Sequence, residues 1–149
     1  MERLRIFPLL FMLVLLAAMV ALAVLLPVAR VLEAPVTWLG AVPLASGLLL
    51  IFISAGLFRR RQTTLKPFGE SSALVQEGLY RYSRNPMYLG MLLVLTGAAL
   101  WLGHLLPFAA LPTFVVVVSH QNIRHEEQAL EAQFGDTYRA YRQRVRRWF

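Results

Sequence analysis

The sequence predicts an all-α integral membrane protein with about four transmembrane helices, a cytoplasmic loop and an amphipathic C-terminal helical tail. Three observations lead there. Of 149 residues, 58% are hydrophobic and only 15% charged, a balance far from that of a soluble domain. Uncharged runs of 24, 25 and 39 residues occupy positions 6–29, 34–58 and 85–123, and about 20 apolar residues suffice to cross a hydrocarbon core. Fourteen of the fifteen Lys and Arg fall in the N-terminus, the 59–85 segment and the tail, leaving Arg30 alone opposite. That is the charge bias of cytoplasmic segments, and with four spans it places both termini inside.

The first span is expected over 6–29. A competing reading is a signal peptide, because Arg3 and Arg5 precede the apolar stretch and Ala21-Leu22-Ala23 resembles a cleavage site. The apolar run continues past that site through Val24, Leu25 and Leu26, as in an anchor that is retained. The second span, 34–58, carries Gly40, Gly47 and Gly56 as points where another helix can approach closely. The 39-residue run is about two minimal spans long and holds His104, Pro107 and Pro112 near its middle, so it is read as a tight hairpin of spans 86–103 and 105–123. Gly90 and Gly97 share one face of its first helix. Residues 59–85 form the cytoplasmic loop and 124–149 the cytoplasmic tail, with the whole of 1–149 taken as one domain. In the tail, Leu130, Phe134, Tyr138, Tyr141, Val145 and Trp148 recur three or four apart, one apolar stripe on a helix that Gly135 bends. The stripe lies on the membrane surface or against the loop.

Several chemistries are excluded. With no cysteine there is no disulfide framework and no thiolate nucleophile or metal site. The formal charge of +7 is spread beside apolar spans without any zinc-finger or aromatic RNA-binding signature, which points to membrane lipids and away from nucleic acid. No Gly-x-Gly pair, Walker-type loop or strand-helix alternation is present. The three histidines make no metal site: His104 belongs to the hairpin turn, and His120 and His125 diverge by about 140° on a helix.

The polar chemistry concentrates where the loop meets the third span, in Gly78-Leu79-Tyr80-Arg81-Tyr82-Ser83-Arg84-Asn85-Pro86-Met87-Tyr88-Leu89-Gly90. Asn85 suits an N-cap and Pro86 the first helical position, where a missing N–H costs nothing. A helix start beside Arg81 and Arg84 is a ready place for an anion such as a carboxylate or phosphate. Beyond the hairpin, Glu126 and Glu127 open the tail. Read locally, they either serve a ligand or stabilise the start of the tail helix and pair with nearby arginines such as Arg124. Tyr80, Tyr82 and Tyr88 read equally as ligand contacts or as interfacial anchors.

Taken in order, Gly78-x-Tyr80, then Arg84-Asn85-Pro86-x-Tyr88-x-Gly90, then Glu126-Glu127-x-x-Leu130-x-x-x-Phe134-Gly135-x-x-Tyr138-x-x-Tyr141 resembles the integral-membrane methyltransferases of the isoprenylcysteine carboxyl methyltransferase and phospholipid methyltransferase superfamily. The likeness covers about residues 63–147. It implies S-adenosylmethionine as cofactor, a lipophilic acceptor entering from the bilayer, and methyl transfer at the cytoplasmic membrane face. By motif, Gly78, Tyr80, Arg84, Asn85, Pro86, Tyr88, Glu126 and Glu127 become the cofactor-binding candidates. Glu127 and Arg124 become the catalytic ones. Two positions depart from the family's pattern. Asn85 stands where histidine is commoner, and Asn122 stands where an arginine is often found five positions before the second glutamate, leaving Arg124 as the nearest guanidinium for an acceptor carbonyl or carboxylate.

Methyl transfer from a sulfonium is an in-line displacement that asks for positioning, exclusion of water and a correctly ionised acceptor more than for elaborate acid-base machinery. A few polar side chains at the end of a helical bundle meet that demand. Two other classes share the same outline: a nicotinamide-dependent membrane reductase of the sterol-reductase type, and a non-catalytic membrane scaffold that binds no cofactor.

Overall fold

The computed structural model describes residues 7–60 and 74–148, and every regular element among them is helical. Arg3, Arg5, the first residue of span one and most of the expected loop, 61–73, lie outside the described residues. Helix α1, Pro8–Leu25, starts with proline at its first turn. A 3-10 turn at Val36–Gly40 leads into α2, Ala41–Arg60. Helix α3, Pro86–Leu102, follows the loop, with a short 3-10 turn at Gly78–Arg81 ahead of it.

The helical tail follows the hairpin directly. A 3-10 turn at Leu106–Ala109, helix α4 at Ala110–Val118, a π turn at Ser119–Ile123 and helix α5 at Arg124–Arg144 run on without interruption. Neither Gly nor Pro occurs between Thr113 and Phe134, so nothing in the backbone chemistry breaks the helix where polarity changes. The break comes at Gly135, with φ 50° and ψ −122°, as its place in the sequence led us to expect.

Three helical runs, Pro8–Leu25, Val36–Leu57 and Leu106–Arg144, are long and apolar enough to cross a membrane. The fourth, α3, has 17 residues, about 26 Å of helix. It is the central helix, packed by α1, α2 and α4. Its Met91, Val94, Leu95 and Ala99 are buried with Met12 and Met19 of α1 and with Phe114 and Val118 of α4. The rings of Phe11 and Phe114 stack with centroids 6.2 Å apart. Large apolar side chains such as Leu10, Val14, Val42, Leu49 and Phe52 point outward, which suits a hydrocarbon surrounding and not water. The protein is an integral membrane protein.

Glycines set how close α2 and α3 come. An added Cβ on Gly97 would lie 2.6 Å from the carbonyl oxygen of Gly40, and one on Gly47 would lie 2.5 Å from that of Gly90. Both pairs are seven residues apart in their own helices, so the two antiparallel backbones touch at two levels. Gly56, expected as a third such point, faces nothing within 4 Å. At the end opposite the loop, Val31 and Leu32 N–H donate to the carbonyl of Gly103 at 2.8 and 3.1 Å, and Leu105 N–H donates to that of Ala29 at 2.9 Å. Gly103 ends α3 with φ +68°, and a Cβ there would meet Leu32 O at 2.5 Å. This ties the α1–α2 connection to the hairpin turn and puts Arg30 beside His104.

Candidate active site

Because α3 and α4 run antiparallel, the start of α3 and the start of α5 return to the same end of the bundle. The π turn at Ser119–Ile123 closes over one more residue than an α turn, which turns every later side chain about 100° around the axis. Beyond it, Glu126 and Glu127 face the residues that precede and open α3. The kink at Gly135 then brings Tyr138, Tyr141 and Val145 against Leu74. The tail stripe therefore packs on the loop.

The loop is held by the tail's backbone. Tyr80, buried in the 3-10 turn, accepts at its carbonyl from Tyr141 Oη at 2.7 Å. Arg84 N–H donates to the carbonyl of Arg146 at 3.0 Å. The carbonyl of Arg147 accepts from Asn85 Nδ2 at 3.0 Å and from Ser83 Oγ at 3.3 Å. Asn85 is thus at the N-cap position of α3, but its side chain makes no cap. Its amide is drawn away to the chain's C-terminal segment, while Ser83 Oγ accepts from Asn85 N–H at 3.1 Å.

The side chains interlock the two motif halves. Arg84, its side chain 9% exposed, pairs through Nη1 with Glu127 Oε1 at 3.0 Å, and the same nitrogen lies 3.2 Å from Tyr138 Oη. Glu127 also receives Arg147 as a two-pronged partner, Nε on Oε1 at 3.1 Å and Nη2 on Oε2 at 2.6 Å. Such fork-on-carboxylate geometry is among the stronger hydrogen-bonded ion pairs. On the neighbouring position, Tyr88 Oη donates to Glu126 Oε1 at 2.6 Å.

Electrostatics separate the two glutamates. Burial pushes the Glu126 carboxyl up to about 7, against the Tyr88 hydrogen bond and with the help of the Glu127 charge. The bond to Glu127 holds the Arg147 guanidinium above its ordinary value. Burial, reinforced by Tyr141 and Glu126, raises Tyr80. Alongside, a cleft of about 360 Å³ is lined by Ser119, His120, Arg124, Glu127, Arg142 and Arg147, with Gln128 and Glu131 completing it.

The structure therefore brings Tyr80, Arg84, Asn85, Tyr88, Glu126 and Glu127 together, and Arg124, exposed, lines the same cleft as Glu127. Gly78, with φ +60°, lies against Leu57 of α2 and shapes the turn. Pro86 sets the first turn of α3. Arg147, Ser83 and the hydroxyl of Tyr138 were not legible as site residues. Arg147 stands twenty residues after Glu127, beyond the end of α5, and no spacing rule connects the two.

A phospholipid methyltransferase family model matches residues 35–137. The chain belongs to the phospholipid methyltransferase family. The family match takes in both motif halves and ends just short of Tyr138 and the Arg147 segment. Among curated relatives, an uncharacterized protein of Haemophilus influenzae is 47% identical over 62 residues, 42% of this chain and 98% of that one. Methanethiol S-methyltransferase 1 of Bradyrhizobium diazoefficiens is 44% identical over 68 residues, 45% of this chain and 22% of the enzyme. Protein-S-isoprenylcysteine O-methyltransferase of Schizosaccharomyces pombe is 33% identical over 72 residues, 48% of this chain and 30% of the enzyme. The chain thus matches less than a third of the length of either named methyltransferase. No solved structure matches it.

Proposed function

We propose that the chain transfers a methyl group from S-adenosylmethionine to a lipophilic acceptor at the cytoplasmic face of a membrane, with residues 1–149 acting as one unit. The Arg84–Glu127 ion pair carries this assignment, because it joins the two motif halves inside the span that the family shares. The placement of loop and tail on the cytoplasmic side follows from the distribution of Lys and Arg.

The residues present fit the cofactor. Its amino-acid end carries both charges, and the cleft sets Arg124, Arg142 and Arg147 among Glu127 and Glu131. Arg84 Nε is a buried donor with no partner among the described residues, a vacancy that a ligand oxygen satisfies. A cleft of about 360 Å³ lies within the roughly 300–1,000 Å³ of small-molecule sites. Bound there, S-adenosylmethionine supplies a methyl group activated on a sulfonium sulfur. The chain's own residues do the rest. Arg84 and Arg124 would orient the carboxylate. Glu127 holds Arg84 and Arg147 in place and offers the negative charge of the cleft. Tyr80, Asn85 and Tyr88 tie the loop and the start of α3 to the tail through Tyr141, Arg147 and Glu126, while Gly78 and Pro86 supply the backbone shape there.

The acceptor is a membrane-associated molecule with a lipophilic body. The two named relatives act, by their names, on different acceptors, a small thiol and an isoprenylated protein, while sharing 68 and 72 residues with this chain. Such a shared segment suits the methyl-donor side of the reaction.

Calorimetric titration of the protein in lipid nanodiscs tests the reading. S-adenosylmethionine should bind, a nicotinamide dinucleotide should not displace it, and Glu127→Gln should lose about ten- to a hundred-fold in affinity, the worth of one charge-assisted hydrogen bond. Absence of S-adenosylmethionine binding would sink the assignment.

A further inference from the structure

Arg147 comes from the short segment that follows α5, and it engages the carboxylate that Glu127 presents to the cleft. Its guanidinium meets both oxygens, Nε on Oε1 at 3.1 Å and Nη2 on Oε2 at 2.6 Å. Arg84 reaches the same carboxylate from the loop, Nη1 on Oε1 at 3.0 Å. Two guanidinium groups thus share Glu127, and Arg147 is the one that lines the cleft. The Arg84 side chain is 9% exposed against 39% for Arg147. Its Nε is buried and, among the described residues, without a partner, so a ligand oxygen reaches that donor only when something covering it moves.

The segment that carries Arg147 is fastened to the same place. The carbonyl of Arg146 accepts from Arg84 N–H at 3.0 Å, and that of Arg147 accepts from Asn85 Nδ2 at 3.0 Å and from Ser83 Oγ at 3.3 Å. Each of these bonds joins it to 83–85, the stretch that presents Arg84. Trp148 packs on the bundle core beyond. Helix α5 ends at Arg144 and Val145 is already extended, with φ −120° and ψ 129°, so swinging 146–148 outward unwinds no helical turn. One short segment therefore covers the carboxylate and clasps the backbone of the buried arginine.

On the methyl-transfer reading above, we propose that Arg147 is a specificity-determining gate: it competes with the ligand for Glu127, and its segment is released by a ligand that carries an ammonium and a carboxylate together, as an α-amino acid does. The reason is charge balance in a site with little water. Glu127 is 10% exposed, and removing one cation from a buried carboxylate is costly unless another replaces it. The ligand's ammonium takes the oxygens that Arg147 gives up. Its carboxylate meets the donors of Arg84, which the departing segment uncovers, and the guanidinium groups of Arg124 and Arg142 in the cleft. A ligand without the amino-acid end offers Glu127 no replacement, and the segment stays where it is. The apparent affinity for the complete ligand is lowered by the small fraction of molecules whose segment is open.

Binding to the protein in lipid nanodiscs, read by calorimetry and by tryptophan emission, tests the gate. Trp38→Phe and Trp101→Phe leave Trp148 as the reporter. S-adenosylhomocysteine should shift its emission toward that of an exposed indole, whereas 5′-methylthioadenosine, which lacks the amino-acid end, should not. Arg147→Ala should tighten S-adenosylhomocysteine by about 3- to 10-fold, the gain from removing an internal competitor at a half-exposed ion pair, and leave 5′-methylthioadenosine unchanged. Arg147→Lys should fall between the wild type and Arg147→Ala. Ser83→Ala loosens the segment without touching the Glu127 pair and should tighten the same ligand by about 2-fold, which decides the matter if Arg147→Ala does not fold. Weaker or unchanged S-adenosylhomocysteine binding in these variants, folding being checked by circular dichroism, overturns the gate and leaves the methyltransferase reading standing. So does a Trp148 emission that stays fixed at saturation. Failure of the wild type and every folded variant to bind either S-adenosylmethionine or S-adenosylhomocysteine overturns both.

Discussion

At the scale of single residues, the site is a pair of adjacent carboxyl groups with opposite fates. Folding raises Glu126 from 4.5 to about 7. A raised acid favours the folded state below its unfolded value, and that advantage is lost as pH climbs through the folded one. Stability of the ligand-free protein should therefore decline between about 4.5 and 7, by up to about 3 kcal/mol for a shift of this size. Glu126→Gln should remove the slope, as read from denaturation midpoints across pH. Arg147 tests the other carboxyl. Arg147→Lys keeps a charge but loses the two-pronged geometry, and Arg147→Ala leaves Glu127, among the described residues, with Arg84 as its ion-pair partner. Because the Arg147 side chain is 39% exposed, the truncation should cost a modest 1–3 kcal/mol, on the order of one charged hydrogen bond. Trp148, packed against the bundle core, reports it: its fluorescence should move toward that of an exposed indole in Arg147→Ala and less so in Arg147→Lys.

At the scale of elements, the α2–α3 contact is the part of the bundle with least slack. Gly97→Ala places a methyl 2.6 Å from the Gly40 carbonyl, so the helices must separate, at a cost of about 1–3 kcal/mol for overpacking. Gly56→Ala meets nothing within 4 Å and should stabilise α2 by about 0.5–1 kcal/mol, the helix-propensity difference alone. Thermal melts of the two variants in one detergent compare them, and equal midpoints would show that the two helices do not touch as described. The α4–α5 run teaches a related lesson. Polarity changes at Arg124, yet the backbone carries the helix straight through, with only a π turn at the boundary. Helix continuity is set by the absence of Gly and Pro, and the membrane boundary by side-chain charge, so the two need not coincide.

At the scale of the molecule, the α1–α2 connection and the hairpin turn meet at one end, and the loop, the start of α3 and the tail meet at the other. Labelling in intact cells checks the orientation assigned to this arrangement, and the natural absence of cysteine leaves no background. A cysteine at exposed Gln143 should be protected from an impermeant thiol reagent, and one at Val28, 70% exposed, should react. The reverse pattern would invert the assigned topology.

The sequence by itself determined the class of the molecule and the order of its parts. Uncharged runs and flanking arginines are one-dimensional signals, because the length of a run is what a bilayer measures and charge is what it excludes. The kink at Gly135 and the stripe through Tyr138 and Tyr141 were legible for a similar reason, being periodic or confined to a single residue type. Only the tertiary structure decided what the polar residues do. Asn85 suited a cap, yet it bonds the Arg147 carbonyl, and Gly56 matched Gly40 and Gly47 in kind, yet a Cβ there would meet nothing within 4 Å. Arg147 holds Glu127 across twenty residues of helix and a bend. Those outcomes depend on where antiparallel helices and a kinked tail bring side chains from distant positions, and on which of two adjacent carboxyl groups Arg84 and Arg147 reach. Neither is written in any local spacing.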